Sequence, residues 1–120
     1  MAVSGKGRRK IIVGGRTYLW WVGHDDPECL SGSDTYLMVV SADGRFGVRF
    51  FLGQLAERSF LIVLGREFHG LRDAGGPWIR VLCPHWVGMS AVTPAVVRAV
   101  IEWCSSDRPL VRVDYRGNIV

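Results

Sequence analysis

Two adjacent glycines, Gly14-Gly15, stand between Arg8-Arg9-Lys10-Ile11-Ile12-Val13 and Arg16-Thr17-Tyr18-Leu19-Trp20-Trp21-Val22. A two-residue hairpin turn that matches the twist of its strands needs positive φ, which glycine adopts without steric cost. The flanking runs are β-branched and aromatic, the residue types that suit a pleated surface. A β-hairpin from Arg8 to Gly23 follows from this arrangement. Its turn pairs Val13 with Arg16, Ile11 with Tyr18 and Arg9 with Trp20, all on one side of the sheet. Ile12, Thr17, Leu19 and Trp21 then occupy the other side. Both sides carry large apolar groups, so the hairpin is either covered twice or leaves one face for a partner.

The rest of the chain continues this pattern. After a polar segment rich in turn formers, His24 to Asp34, a second hairpin is predicted from Thr35–Ser41 and Arg45–Leu52 around Asp43-Gly44. Its register has two solutions. A two-residue loop pairs Val39 with Val48, and a three-residue loop with Gly44 left-handed pairs Met38 with Val48. In both, Phe46, Val48, Phe50 and Leu52 line one face, and Arg45, Arg49 and Phe51 the other. Gly53 to Arg58 is a polar connector with room for one helical turn. The continuous apolar run Ser59–Leu64 reads as a central strand buried on both sides. Gly65 to Pro77 reads as loop, and Trp78–Cys83 as a strand stopped by Pro84.

One helix is clear. Thr93 is a good N-cap and Pro94 is pre-shaped for the first helical position. Val96, Val97, Val100, Ile101 and Cys104 form an apolar stripe, with Arg98 and Glu102 opposite, before the helix ends between Ser105 and Pro109. Leu110–Tyr115 reads as a last strand. The expected fold is α+β: an antiparallel meander of six or seven strands, as a two-layer sandwich or half-barrel, with the C-terminal helix packed on the sheet. Residues 8–120 form the single domain, and residues 1–7 a flexible basic arm.

The hairpin Arg9-Lys10-Ile11-Ile12-Val13-Gly14-Gly15-Arg16-Thr17-Tyr18-Leu19-Trp20-Trp21-Val22, with Thr93-Pro94-Ala95-Val96-Val97-Arg98-Ala99-Val100-Ile101-Glu102-Trp103, resembles a small family of uncharacterised bacterial proteins. Its members are short and strand-rich, with the same late helix. The resemblance implies a bacterial, self-standing domain and carries over no activity, cofactor or site residue.

Composition narrows the function classes. An apolar content of 48% with 22% charged residues is that of a globular chain. No apolar run approaches the roughly 20 residues of a membrane span, and the N-terminus lacks the apolar core of a signal peptide. A cytoplasmic protein without membrane partners is expected. Cys29, Cys83 and Cys104 make an odd, sparse set that suits a reducing compartment. The net charge is +4, and Lys6, Arg8, Arg9 and Lys10 crowd at one end, where solvation explains them more simply than phosphate binding.

Three chemistries are worth weighing. His24, Cys29, Cys83 and His85 comprise the residue types of a tetrahedral zinc site, although their spacing is not that of paired knuckles. Cys83 with His85 could form a thiolate–imidazole pair, since positions two apart in extended chain point the same way. No phosphate loop or nucleophile elbow accompanies them, and Cys104 belongs to the helix stripe. Asp25, Asp26 and Glu28 beside His24 read as a solvated loop. No cofactor is expected. Most of the five tryptophans serve a core, yet Arg9, Arg16, Tyr18 and Trp20 together have the composition of a contact hot spot. The leading expectation is therefore a module that binds another protein or its own copy through those four residues. Single-stranded nucleic acid ranks second, and an enzyme centred on Cys83 and His85 third.

Overall fold

In the computed structural model, which describes residues 8–24, 35–54, 56–71, 79–86, 91–114 and 116–120, the first hairpin forms in the expected register. Gly14 and Gly15 have φ of 58° and 79° and join β1 (Arg9–Val13) to β2 (Arg16–His24). Val13 faces Arg16, Ile11 faces Tyr18, and Arg9 faces Trp20. β3 (Thr35–Ser41) and β4 (Gly47–Phe51) pair with Val39 opposite Val48, the register of the two-residue loop, although Gly44 is left-handed (φ 78°) as the other solution required and its N–H donates to Ser41 O. Ser41 secures that choice. It is fully buried, its N–H donates to Phe46 O, and its Oγ accepts from Phe46 N–H at 3.0 Å while donating to Asp43.

A single 3-10 turn, Ala56–Arg58, leads to β5 (Phe60–Val63), where Leu61, Ile62 and Val63 are buried on both faces of the sheet as a central strand requires. β6 (Ile79–Leu82) and β7 (Arg112–Val113) complete a seven-stranded antiparallel sheet whose strands lie in chain order. The sheet is not closed into a barrel, since β1 and β7 are its two edges. β7 is shorter than the expected Leu110–Tyr115, and at its C-terminal end Asp114 turns the chain. Its Oδ1 accepts from Arg116 N–H and Asn118 N–H, both at 2.9 Å. The chain then returns along β7, with Ile119 bridging Val113 and Val120 N–H donating to Arg112 O.

The helix α1 (Pro94–Ser105) starts where Thr93 and Pro94 place it, with Thr93 Oγ1 accepting from Val96 N–H. Val97, Val100, Ile101 and Cys104 are buried, while Arg98 and Glu102 are exposed. The stripe meets the sheet face that carries Trp20, Val39, Phe50, Leu61 and Val81. Both faces of the central strands are apolar, so hydrophobicity alone does not select this one. Charge does: the opposite face holds Arg49 and Arg80 in mid-strand. Covering those guanidinium groups with valines would strip them of water.

The two ends of α1 are tied to the sheet side. Arg98 donates to Ile12 O at 3.3 Å on β1. Arg108 donates to Cys104 O at the last helical turn and to His69 O, and lies over the rings of Trp103 and Phe68. Phe50, Trp86 and Trp103 continue this packing edge to face, with centroids 5.5 and 5.6 Å apart. Among the described residues, no helix is long and apolar enough to cross a membrane. The basic arm, the loop carrying Cys29, Asp25, Asp26 and Glu28, and also Trp78 and Tyr115, lie outside the described residues.

Candidate functional site

The hairpin face expected to meet a partner is the one that packs into the core. Tyr18 and Trp20 are 5% and 4% exposed and belong to the core beneath α1. The expectation that these two rings face a partner is corrected by that burial. Arg9 and Arg16 remain at the rim, their guanidinium carbons 5.4 Å from the Trp20 ring and 5.6 Å from the Tyr18 ring. Arg16 is also tied by ion pairs to Glu67 and Asp43. The Glu67 hydrogen bond, above all, holds its guanidinium charged.

The side without the helix carries a different set of basic and aromatic residues. One row crosses the sheet in register: Trp21 faces Met38, Met38 faces Arg49, Arg49 faces Ile62, Ile62 faces Arg80, and Arg80 faces Val113. Arg8 lies 4.0 Å above Trp21, Arg49 lies 4.1 Å above Tyr36, and Arg80 is 6.0 Å from the Phe60 ring. Ile62 and Phe51 form a buried floor, and Trp21, Tyr36, Arg49 and Arg80 are half-buried around them. Gly23 makes room for this arrangement. A Cβ there would lie 2.7 Å from the Tyr36 ring, so only glycine lets that ring lie across β2.

Among the described residues no strand contains an Asp or Glu, whereas the strands carry Arg9, Lys10, Arg16, Arg49, Arg80 and Arg112. Of these, Lys10, Arg49 and Arg80 fall on the helix-free side, where Arg49 and Arg80 are seated on rings, while Arg9, Arg16 and Arg112 lie on the helix side. Arg80 Nε is buried without a hydrogen-bond partner among the described residues. Sequence reasoning missed this surface because the register between the two hairpins depends on the long segment that joins them. The available signal was that Arg49 already lay opposite in face to Val48 and Phe50.

The chemical candidates separate in space and in electrostatics. Cys83 is buried in the core, and desolvation pushes its thiol well above the ordinary range, with Cys104 adding to the shift. Burial likewise pushes Cys104 up to about 12. An activated thiolate needs the reverse shift. His85 is exposed and its Nδ1 pairs with Ser59 Oγ at 2.8 Å, and no hydrogen bond joins it to Cys83. His24 Nδ1 meets Thr35 Oγ1 at 3.1 Å. Cys29, the fourth zinc candidate, lies outside the described residues. Among the described residues, no three His, Cys, Asp or Glu side chains cluster as a metal ion would require.

The fold and the surface thus define a class, a seven-stranded antiparallel meander with one helix on one face and a basic, aromatic sheet on the other. No family model, curated protein or solved structure matches the chain.

Proposed function

We propose that this chain is a binding module that takes an acidic segment of another protein on the helix-free face of its sheet. The observation that carries this reading is the set of arginines over aromatic rings on strands that, among the described residues, contain no Asp or Glu. A guanidinium stacked on a ring keeps its in-plane N–H donors, which a carboxylate meets in bidentate fashion. Pairing with a second copy through the same face would set like charges against each other. Single-stranded nucleic acid needs ring faces on which bases can stack. Here Trp21 and Tyr36 already lie beneath guanidinium groups, which favours a carboxylate partner over a base.

Nuclear magnetic resonance titration of the full chain with a glutamate-rich peptide, and separately with oligo-dT, tests this. The peptide is expected to shift the Trp21 indole N–H and the Arg80 Nε–H, with binding that weakens as salt rises. Arg80→Gln should weaken it about tenfold, the loss of one charge-assisted contact. Tighter binding of oligo-dT at the same resonances would give the face to nucleic acid instead, and silence with both would remove the reading.

A further inference from the structure

The helix-free face fixes a distance as well as a charge. Arg49 stands opposite Ile62, and Ile62 opposite Arg80, so the two arginines lie in register on strands two apart. Their side chains lean the same way. Arg49 lies over Tyr36, which is opposite Phe51, and Arg80 leans toward Phe60, which is opposite Leu82. Each guanidinium is therefore carried one strand back and toward the position two residues further on. β4 and β6 both run antiparallel to β5, so the two displacements are parallel. The guanidinium groups thus keep the separation of their backbones, two strand spacings or roughly 10 Å.

Acids on a partner must match that separation to meet both arginines. The line from Arg49 to Arg80 crosses the strands, and the backbone of β5 between them is paired within the ladder. A segment lying there gains no main-chain hydrogen bonds from the sheet. In a β-strand, side chains on one face recur at about 7 Å and next at about 14 Å, and neither spacing fits. In an α-helix, residues seven apart stand about 10.5 Å apart on one face. Yet a short helix holds its shape only by burying an apolar stripe. The floor between the two arginines is Ile62 and Phe51, which are 1% and 6% exposed and offer no such surface. A polyproline II segment meets both conditions. It has three residues per turn, so positions three apart point the same way, roughly 9 Å from each other. It has no internal hydrogen bonds to protect, and proline sets its shape before binding.

Resting on the acidic-segment reading above, we infer that this segment is a polyproline II stretch whose carboxylates lie three residues apart, in the order Glu-Pro-Pro-Glu. It runs across β4, β5 and β6, with one carboxylate on Arg49 and the other on Arg80.

Fluorescence anisotropy of labelled peptides against the full chain tests the spacing. One peptide carries Glu-Pro-Pro-Glu within a proline run, and a second, of identical composition, carries its two glutamates side by side. The first is expected to bind about tenfold more tightly, since the second reaches a single arginine and loses one charge-assisted contact. A third, Glu-Gly-Ser-Glu within a glycine-serine run, keeps the spacing without the conformation and should bind several-fold more weakly than the first. In Arg80→Gln, and equally in Arg49→Gln, the affinity ratio of the first two peptides should fall to about one, because only one arginine remains to be met. Partial unfolding does not move that ratio, since both peptides meet the same folded fraction. Equal binding of the first two peptides, a ratio that survives in either arginine variant, or preference for the third peptide would each overturn the assignment and leave the acidic-segment reading standing. So would silence of the first peptide where the glutamate-rich peptide binds. Silence of all four peptides would remove that reading and the assignment with it.

Discussion

Asp43 shows how much one residue of this chain carries. Its carboxylate accepts from the Ser41 hydroxyl first, then from Arg45 N–H, and faces the Arg16 guanidinium. Together these hold its pKa down to about 2, from the ordinary 3.8. A folded-state pKa below the unfolded one contributes stability that is complete above 3.8 and is lost as pH falls through about 2. Asp43→Asn is therefore expected to be less stable at neutral pH and to show a flatter loss of structure between those two pH values. Acid titrations of both chains by far-ultraviolet circular dichroism check this, and identical acid slopes would contradict it. The same residue marks the limit of sequence reading. Asp43-Gly44 is legible as a turn because turn chemistry is local. Its link to Arg16 spans 27 positions and the Arg16–Glu67 link spans 51, and neither distance is encoded in any short pattern.

At the scale of elements, local period was a sure guide and pairing across long connections was not. The helix was legible from end to end, because its stripe and its Thr-Pro start are properties of one continuous segment. Its stability should follow the same division. Val97 is fully buried against the sheet, so Val97→Ala should cost roughly 2–3 kcal/mol as a cavity opens. Thr93→Ala should cost only about 0.5–1 kcal/mol, at the modest end because Thr93 Oγ1 stands 3.4 Å from Val96 N. Glu102→Gln on the exposed side should stay within about 0.5 kcal/mol. Urea denaturation of the three variants ranks them, and a cap loss equal to the core loss would contradict the division. Strand pairing needed more than period. The face that Trp20 takes is set by its pairing with Val39, across the segment 25–34, whose length fixes no register. That is why the basic and aromatic surface was read on the wrong side of the first hairpin. The C-terminal end of β7 was overestimated for a different reason: Asp114 accepts from the N–H groups of Arg116 and Asn118 and so turns the chain back.

For the whole molecule, the two edges of an unclosed sheet are the features most exposed to misassociation. They are protected in different ways. β1 presents the exposed side chains of Arg9 and Lys10, and Arg98 of α1 occupies the outward carbonyl of Ile12. Charge and a helix-borne donor thus guard that edge. β7 is only two residues long and carries the buried Val113. Its outer side is paired by the chain's own continuation, through the Val113–Ile119 bridge and the Val120 N–H bond to Arg112 O. The turn that brings this cover into place depends on Asn118, whose N–H and carbonyl both bond to Asp114. Deleting residues 118–120 should therefore uncover the carbonyl of Arg112 and expose Val113 together, leaving an edge with unpaired backbone and an apolar side chain. The shortened chain is expected to associate more strongly with rising concentration than the full chain does. Sedimentation velocity of both chains at two concentrations measures the difference. Equal behaviour would mean that β7 is too short to recruit a strand, and that its cover contributes to stability alone.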